Sequence, residues 1–180
     1  MPLYVVRHKS PISSPQRDAL AAAITKIHST LFTTPSFFVS VQFEDISSTP
    51  YYVGGKPHNV NAINAHVRAG PSRPRSSYDQ LCRELRSAWE TIFTADDTRL
   101  DLIFVMGAIV AGDKKGFHLP EAGQDKAWMM ENFHEFAKRA EGGDEQMRDL
   151  VRELRERGLL NDDDDEAARK NKVGGFGHSV

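Results

Sequence analysis

Between Leu3 and Met106 the apolar residues alternate between two spacings: short, near-continuous runs, and longer stretches with an apolar position every three or four residues. Leu3-Tyr4-Val5-Val6 is a run of the first kind, and Pro2 stands at its first position, where proline costs a strand little. Ser13-Ser14-Pro15 then offers a serine cap and a proline for the first helical turn. Leu20, Ala23, Ile24, Ile27 and Leu31 follow at helical spacing, which predicts a helix from Ser14 to about Leu31 with one buried stripe. Thr33-Thr34-Pro35-Ser36 ends it, and Phe37 to Phe43 reads as a second strand. A crossover of this length favours parallel strands with the helix on one sheet face.

The pattern then recurs. Asp45 to Asn59 is a loop rich in Ser, Pro and Gly, and Val60 to Arg68 reads as a third strand. Ser76-Ser77 is the predicted cap of a second helix with the stripe Tyr78, Leu81, Cys82, Leu85, Trp89, Ile92 and Phe93, and Leu100 to Met106 is a fourth strand. Ser14 to Phe38 and Ser77 to Asp101 have the same length, offset by 63 positions, which marks an internal duplication. The predicted fold class is α/β (α+β): two consecutive βαβ repeats forming a four-stranded mixed sheet, with both helices on one face. The other face is expected to be apolar and uncovered, a larger patch than a monomer tolerates, so a homo-oligomer is expected.

Beyond Gly107 a loop runs to Gly123, followed by a predicted helix from Asp125 to about Ala140 that buries Trp128, Met129, Phe133 and Phe136. Asp144 to Arg157 is a fourth, highly charged helix with Met147, Leu150, Val151 and Leu154 as its apolar positions, expected as a surface arm. Five acids, Asp162 to Glu166, open a polar, Gly-rich end expected to be disordered. The expected organisation is a double βαβ domain over 2–124, a helical extension over 125–158 and an acidic tail over 159–180.

Composition narrows the function. The 180 residues suffice for one buried core. A formal net charge of -2 gives no basic footprint for nucleic acid or an anionic membrane surface. Cys82 is the only cysteine, so no internal disulfide forms, and the seven histidines show no metal-ligand spacing. There is no run of transmembrane length and no signal-peptide pattern, so a cytoplasmic protein is expected.

Candidate chemistry begins with Pro2. Trimming of an initiator methionine before a small residue would leave it as a free secondary amine, which is a base. Pro2 on an apolar strand, the segment Ala23-Ile24-Thr25-Lys26-Ile27-His28, the Tyr52-Val53-Gly54-Gly55 turn and the strand ending His66-Val67-Arg68 occur in the order of a known group. On these residues the chain resembles the tautomerase superfamily, within it the branch of cis-3-chloroacrylic acid dehalogenase, over roughly Pro2 to Leu119.

The resemblance implies a homotrimer of double βαβ subunits that works without metal or organic cofactor. It implies that Pro2 is the catalytic acid or base and that His28 hydrogen-bonds substrate or water. Arg68 matches the first of two carboxylate-binding arginines; Arg73 is the second, with Arg75 as the alternative because Pro71-Ser72 shifts the register. The dehalogenases add a tyrosine in the fourth strand and a water-activating carboxylate in the next loop. Here those places hold Val105 and Lys114, with Asp113 or Glu121 as the nearby acids. Lys114 is a candidate loop contribution to carboxylate binding. The implied function is a keto-enol tautomerase acting on a small 2-oxo or enol carboxylic acid. The alternatives are a hydratase, dehalogenase or decarboxylase of a 3-carbon acid, and a non-catalytic trimeric scaffold. Cys82 is expected in the core.

Overall fold

The computed structural model describes residues 1–95 and 98–160. The acidic run and Gly-rich end lie outside them. The chain divides into two compact units, one of residues 1–34 and 38–123, the other of 35–37 together with the segment from 124 onward.

In the first unit, β1 (Leu3–His8), β2 (Ser40–Asp45), β5 (Ala62–His66) and β6 (Leu102–Met106) form one sheet in the order β2-β1-β5-β6. β1 is parallel to β2 and β5 to β6, while β1 and β5 meet antiparallel. This is the mixed, four-stranded, doubled βαβ sheet that the repeat predicts. α1 (Ser14–Phe32) is capped at Ser13, whose backbone N–H donates to Gln16 Oε1 at 3.0 Å, and ends at Thr33 in the left-handed region. Its buried residues Leu20, Ile24, His28 and Phe32 stand four apart, so one stripe carries core aliphatics in its middle and two aromatic rings at its C-terminal end. α2 (Arg75–Ile92) buries Leu81, Leu85 and Trp89. Both helices pack on the sheet face that displays Tyr4, Val6, Ile63 and Ala65.

The other face differs from the expectation. No helix of this unit covers it, but it is mixed and not apolar: Leu3, Val5 and the half-exposed Phe104 alternate with Gln42, Asn64 and an Arg7–Glu44 ion pair at 3.2 Å.

Four boundaries move. β2 begins at Ser40 because Ser36–Phe38 is a 3₁₀ turn, β5 is confined to Ala62–His66, β6 starts at Leu102, and α2 starts at Arg75 after Pro74, so Ser76 and Ser77 lie inside its first turn. The predicted loops also hold two hairpins, β3 (Tyr52–Val53) with β4 (Lys56–Pro57), and β7 (Asp113–Lys114) with β8 (Phe117–His118), 61 positions later. Each closes with a two-residue turn whose residues both have positive φ: Gly54 and Gly55 at 57° and 76°, Lys115 and Gly116 at 55° and 86°. The duplication therefore extends past the strands.

The halves are tied together at Asn61, buried just before β5. Its side chain accepts from Lys9 N at 2.8 Å and donates to Arg99 O at 3.0 Å, while its carbonyl accepts from Asp101 N at 3.0 Å.

In the second unit α3 (Asp125–Glu141) buries Met129, Phe133 and Phe136. α4 (Glu145–Glu156) is capped by the Asp144 carboxylate, which accepts from Gln146 N and Met147 N. The charged arm proves to be an amphipathic helix, with Met147, Leu150, Val151 and Leu154 all buried. The Ser36 backbone N–H and hydroxyl both donate to Glu153. Among the described residues no helix is long and apolar enough to cross a membrane.

Candidate active site

The site lies in the first unit, where the start of β1, the last turns of α1 and the loop after β5 converge. The Pro2 carbonyl accepts from Ser40 N at 3.1 Å, which places the buried Pro2 in register with β2. Strand alternation puts Tyr4 on the same side, facing the helices. There the Tyr4 hydroxyl lies 2.6 Å from His28 Nδ1, and the two rings meet edge to face at 78°. Tyr4 is 0% exposed and His28 1%. One turn on, the Phe32 ring centre is 4.7 Å from that of His28.

The arginines come from the connection between β5 and α2. Arg68 is 6% exposed and its Nη1 donates to Pro120 O at 2.5 Å and Glu121 O at 3.1 Å. Arg73 closes a turn onto Gly70 O, is 8% exposed, donates through Nη1 to Arg68 O at 3.2 Å, and sets its guanidinium on the Phe32 ring. Tyr78 OH also donates to Arg68 O, at 3.4 Å. Ser72 Oγ donates to Ala122 O at 2.8 Å, so segment 120–122 is held along this connection.

These groups form one electrostatic neighbourhood. The His28 imidazole is lowered from 6.5 to about 3, first by burial and then by the charges of Arg73, the chain's terminal ammonium and Arg68. Burial pushes the Tyr4 phenol far up, with Arg73 opposing. The buried dyad is therefore a phenol and a neutral imidazole at ordinary pH.

The structure thus sets Arg73, the chain terminus that Pro2 adjoins and Arg68 within electrostatic reach of His28. Arg75 is elsewhere, exposed and paired with Asp79 at 3.1 Å. Lys114 is half-buried on β7, and its ammonium is lowered by burial and by Lys115. Asp113 turns to its own hairpin, accepting from Gly116 N at 3.0 Å, and Glu121 meets Arg68 through its backbone carbonyl. Val105 packs against the core. Cys82 departs from expectation: it is half-buried and lines a cavity of about 370 Å³ with Val67, Tyr78 and Val105, and burial raises its thiol. Among the described residues no cluster of His, Cys, Asp or Glu could hold a metal ion.

Sequence reasoning missed Tyr4 and Phe32 as part of this site. Tyr4 reads as core by alternation, and the signal that singles it out is its place two residues beyond Pro2, on the same strand face.

The fold agrees with comparisons to known proteins. Residues 1–133 match the family model described as "Putative oxalocrotonate tautomerase enzyme", and the chain belongs to that family, within the tautomerase superfamily. Among solved structures the chain is similar to N1, a member of the cis-3-chloroacrylic acid dehalogenase family, at 21% identity and a TM-score of 0.59, covering 71% of this chain and 90% of that one. A probable enzyme from the thermophilic fungus Aspergillus fumigatus is similar at 23% identity and a TM-score of 0.58, covering 73% and 94%. A fused 4-OT symmetric trimer shares the fold at 16% identity and a TM-score of 0.52, covering 64% and 94%. No curated protein matches the chain.

Proposed function

We propose that this protein is a cofactor-independent keto-enol tautomerase of a small 2-oxo or enol carboxylic acid, a cytoplasmic homotrimer with the Pro2 nitrogen as general acid and base. The observation that carries this reading is the buried His28, held by the Tyr4 hydroxyl at 2.6 Å and packed on the Phe32 ring that Arg73 rests on, with its imidazole lowered by burial and by the charges of Arg73, the chain terminus and Arg68. With Met1 removed, the terminal charge would belong to Pro2. Burial and nearby guanidinium charge are what would let this amine stay unprotonated and accept a proton. Arg68 and Arg73 would hold the substrate carboxylate. His28 would hydrogen-bond the oxygen at C2. Pro2 would take the enol O–H proton and return it to C3, the C2=C3 double bond becoming C2=O.

Lys114 would extend carboxylate binding from the β7–β8 hairpin, and Lys114→Glu with unchanged KM would remove it from the set. The trimer is supported by the trimeric assembly named for the fused 4-OT structure.

The test begins with the intact mass, because retention of Met1 makes the Pro2 nitrogen an amide and ends the proposal. With Met1 absent, the wild type converts an arylenolpyruvate from enol to keto form, and Pro2→Ala loses most of that rate. Equal rates in the two proteins would overturn the role of Pro2.

A further inference from the structure

A neutral imidazole carries one proton, and its two tautomers do opposite things. With the proton on Nε2 that edge of the ring is a donor; with the proton on Nδ1 it is a base. The environment of Tyr4 selects between them. The Tyr4 hydroxyl is fully buried and makes one hydrogen bond among the described residues, to His28 Nδ1 at 2.6 Å. Its ring packs in the apolar cluster with Val6, Ile24, Ile63 and Ala65. If Nδ1 held the imidazole proton, it would donate to the phenol oxygen, and the phenol hydrogen would be left without an acceptor in that cluster. A buried hydroxyl hydrogen without an acceptor is the costlier arrangement. If the phenol donates instead, its hydrogen and the Nδ1 lone pair are both satisfied by one short bond, and only the Nε2–H is left for a partner.

We propose that Tyr4 is a positioning residue that fixes His28 as the Nε2–H tautomer, so that His28 serves as a neutral hydrogen-bond donor to the substrate oxygen and not as a base. This rests on the tautomerase reading of the same site. His28 Nε2 makes no hydrogen bond among the described residues, so the proton that Tyr4 sends there is available to a ligand. The two protonation states that would undo the arrangement are both opposed. Burial keeps the phenol from ionising, and burial together with Arg73 and Arg68 keeps the ring from becoming an imidazolium. A donor of this kind follows charge as it builds on the enolate oxygen without surrendering its proton. Proton transfer then falls to Pro2 alone.

The experiment reads the tautomer directly. ¹⁵N-histidine labelling separates a protonated ring nitrogen from a bare one by chemical shift. Difference spectra against His28→Gln assign His28 among the seven histidines. In wild type without substrate at neutral pH, Nδ1 is expected bare and Nε2 protonated. In Tyr4→Phe the preference is expected to collapse to averaged shifts, with kcat for an enol acid falling roughly 10- to 100-fold and KM changing less than about twofold. A protonated Nδ1 in wild type overturns the proposal, and so does a Tyr4→Phe spectrum that keeps the wild-type pattern. The wild-type reading stands even where Tyr4→Phe does not fold. An inactive wild type with a protonated Nε2 would sink the isomerase and leave the tautomer lock in place; an active one with a protonated Nδ1 would do the reverse.

Discussion

The guanidinium carbon of Arg73 lies 4.6 Å from the centre of the Phe32 ring, so a buried positive charge rests on an aromatic face that also packs against His28. A desolvated cation–π contact of this kind is worth about 0.5–2 kcal/mol. Phe32→Leu keeps most of the volume and removes the π face. It is expected to cost about 1 kcal/mol of stability in a urea melt and to raise KM for an enol carboxylate between about 2- and 30-fold, with a smaller change in kcat. An unchanged KM would remove Phe32 as the platform for Arg73.

His28 makes the fold sensitive to acid. Its folded pKa, about 3, lies below the unfolded 6.5, so between those values the unfolded chain binds the extra proton. Stability is therefore complete above pH 6.5 and is lost as pH falls towards 3, by at most about 5 kcal/mol. Asp45 and Glu135, whose carboxyls are lowered by hydrogen bonds, add to the acid-side loss. They do so equally in His28→Gln, so the difference between the two proteins isolates His28. Denaturant melts at pH 8.5, 7.5, 5.5 and 4.5 should show the wild type losing more than the variant on the acid side, with no difference in slope between pH 8.5 and 7.5.

Gly123 has φ of 90°, and a Cβ there would collide with Ser72, whose hydroxyl donates to Ala122 O. Gly123→Ala is expected to destabilise by about 1–3 kcal/mol through backbone strain and overpacking. It should also raise KM, because segment 120–122 meets Arg68 through the Pro120 and Glu121 carbonyls. Thermal unfolding and steady-state kinetics on one preparation check both effects.

Asp144 caps α4 through bonds to Gln146 N at 3.0 Å and Met147 N at 3.3 Å. Asp144→Ala should lower stability by about 1 kcal/mol. Leu150→Ala, which empties a core position of the same helix, should lower it by about 2–5 kcal/mol. Unfolding followed by circular dichroism would rank the two, and the opposite order would mean that α4 is held by its cap more than by its apolar face.

Much of the fold was legible because the long helices write their burial into the sequence at fixed spacing. Leu20 and Ile24, or Leu81, Leu85 and Trp89, mark a buried face in either half without help from tertiary structure. What failed was short or locally overridden. Two-residue strands such as Lys56–Pro57 have no period to detect, and Lys115-Gly116 closes a hairpin with a residue other than glycine in the left-handed region. Phe37-Phe38 is apolar enough for a strand but adjoins Pro35-Ser36 in a tight turn. At the site, Arg68 and Arg73 could be named from the chain, while their separation from Arg75 needed the turn of Arg73 onto Gly70. The pairing of Tyr4 with His28 joins positions 24 apart, and no local pattern reports such a contact.

Asn61 shows what the doubling of the chain forbids. Its carbonyl receives the neighbouring strand as the Pro2 carbonyl receives Ser40, so the two residues occupy matching posts in the two halves. But residue 61 lies in mid-chain, and its nitrogen is an amide however residue 1 is processed. The second half can copy the scaffold of the first and never its free terminal nitrogen. The vacated post holds a structural knot instead, lacing the β1–α1 connection to the segment before β6. A chain built of two near-equal halves thereby has one terminal nitrogen, and on the proposed role of Pro2 one site, where its scaffold has two matching posts.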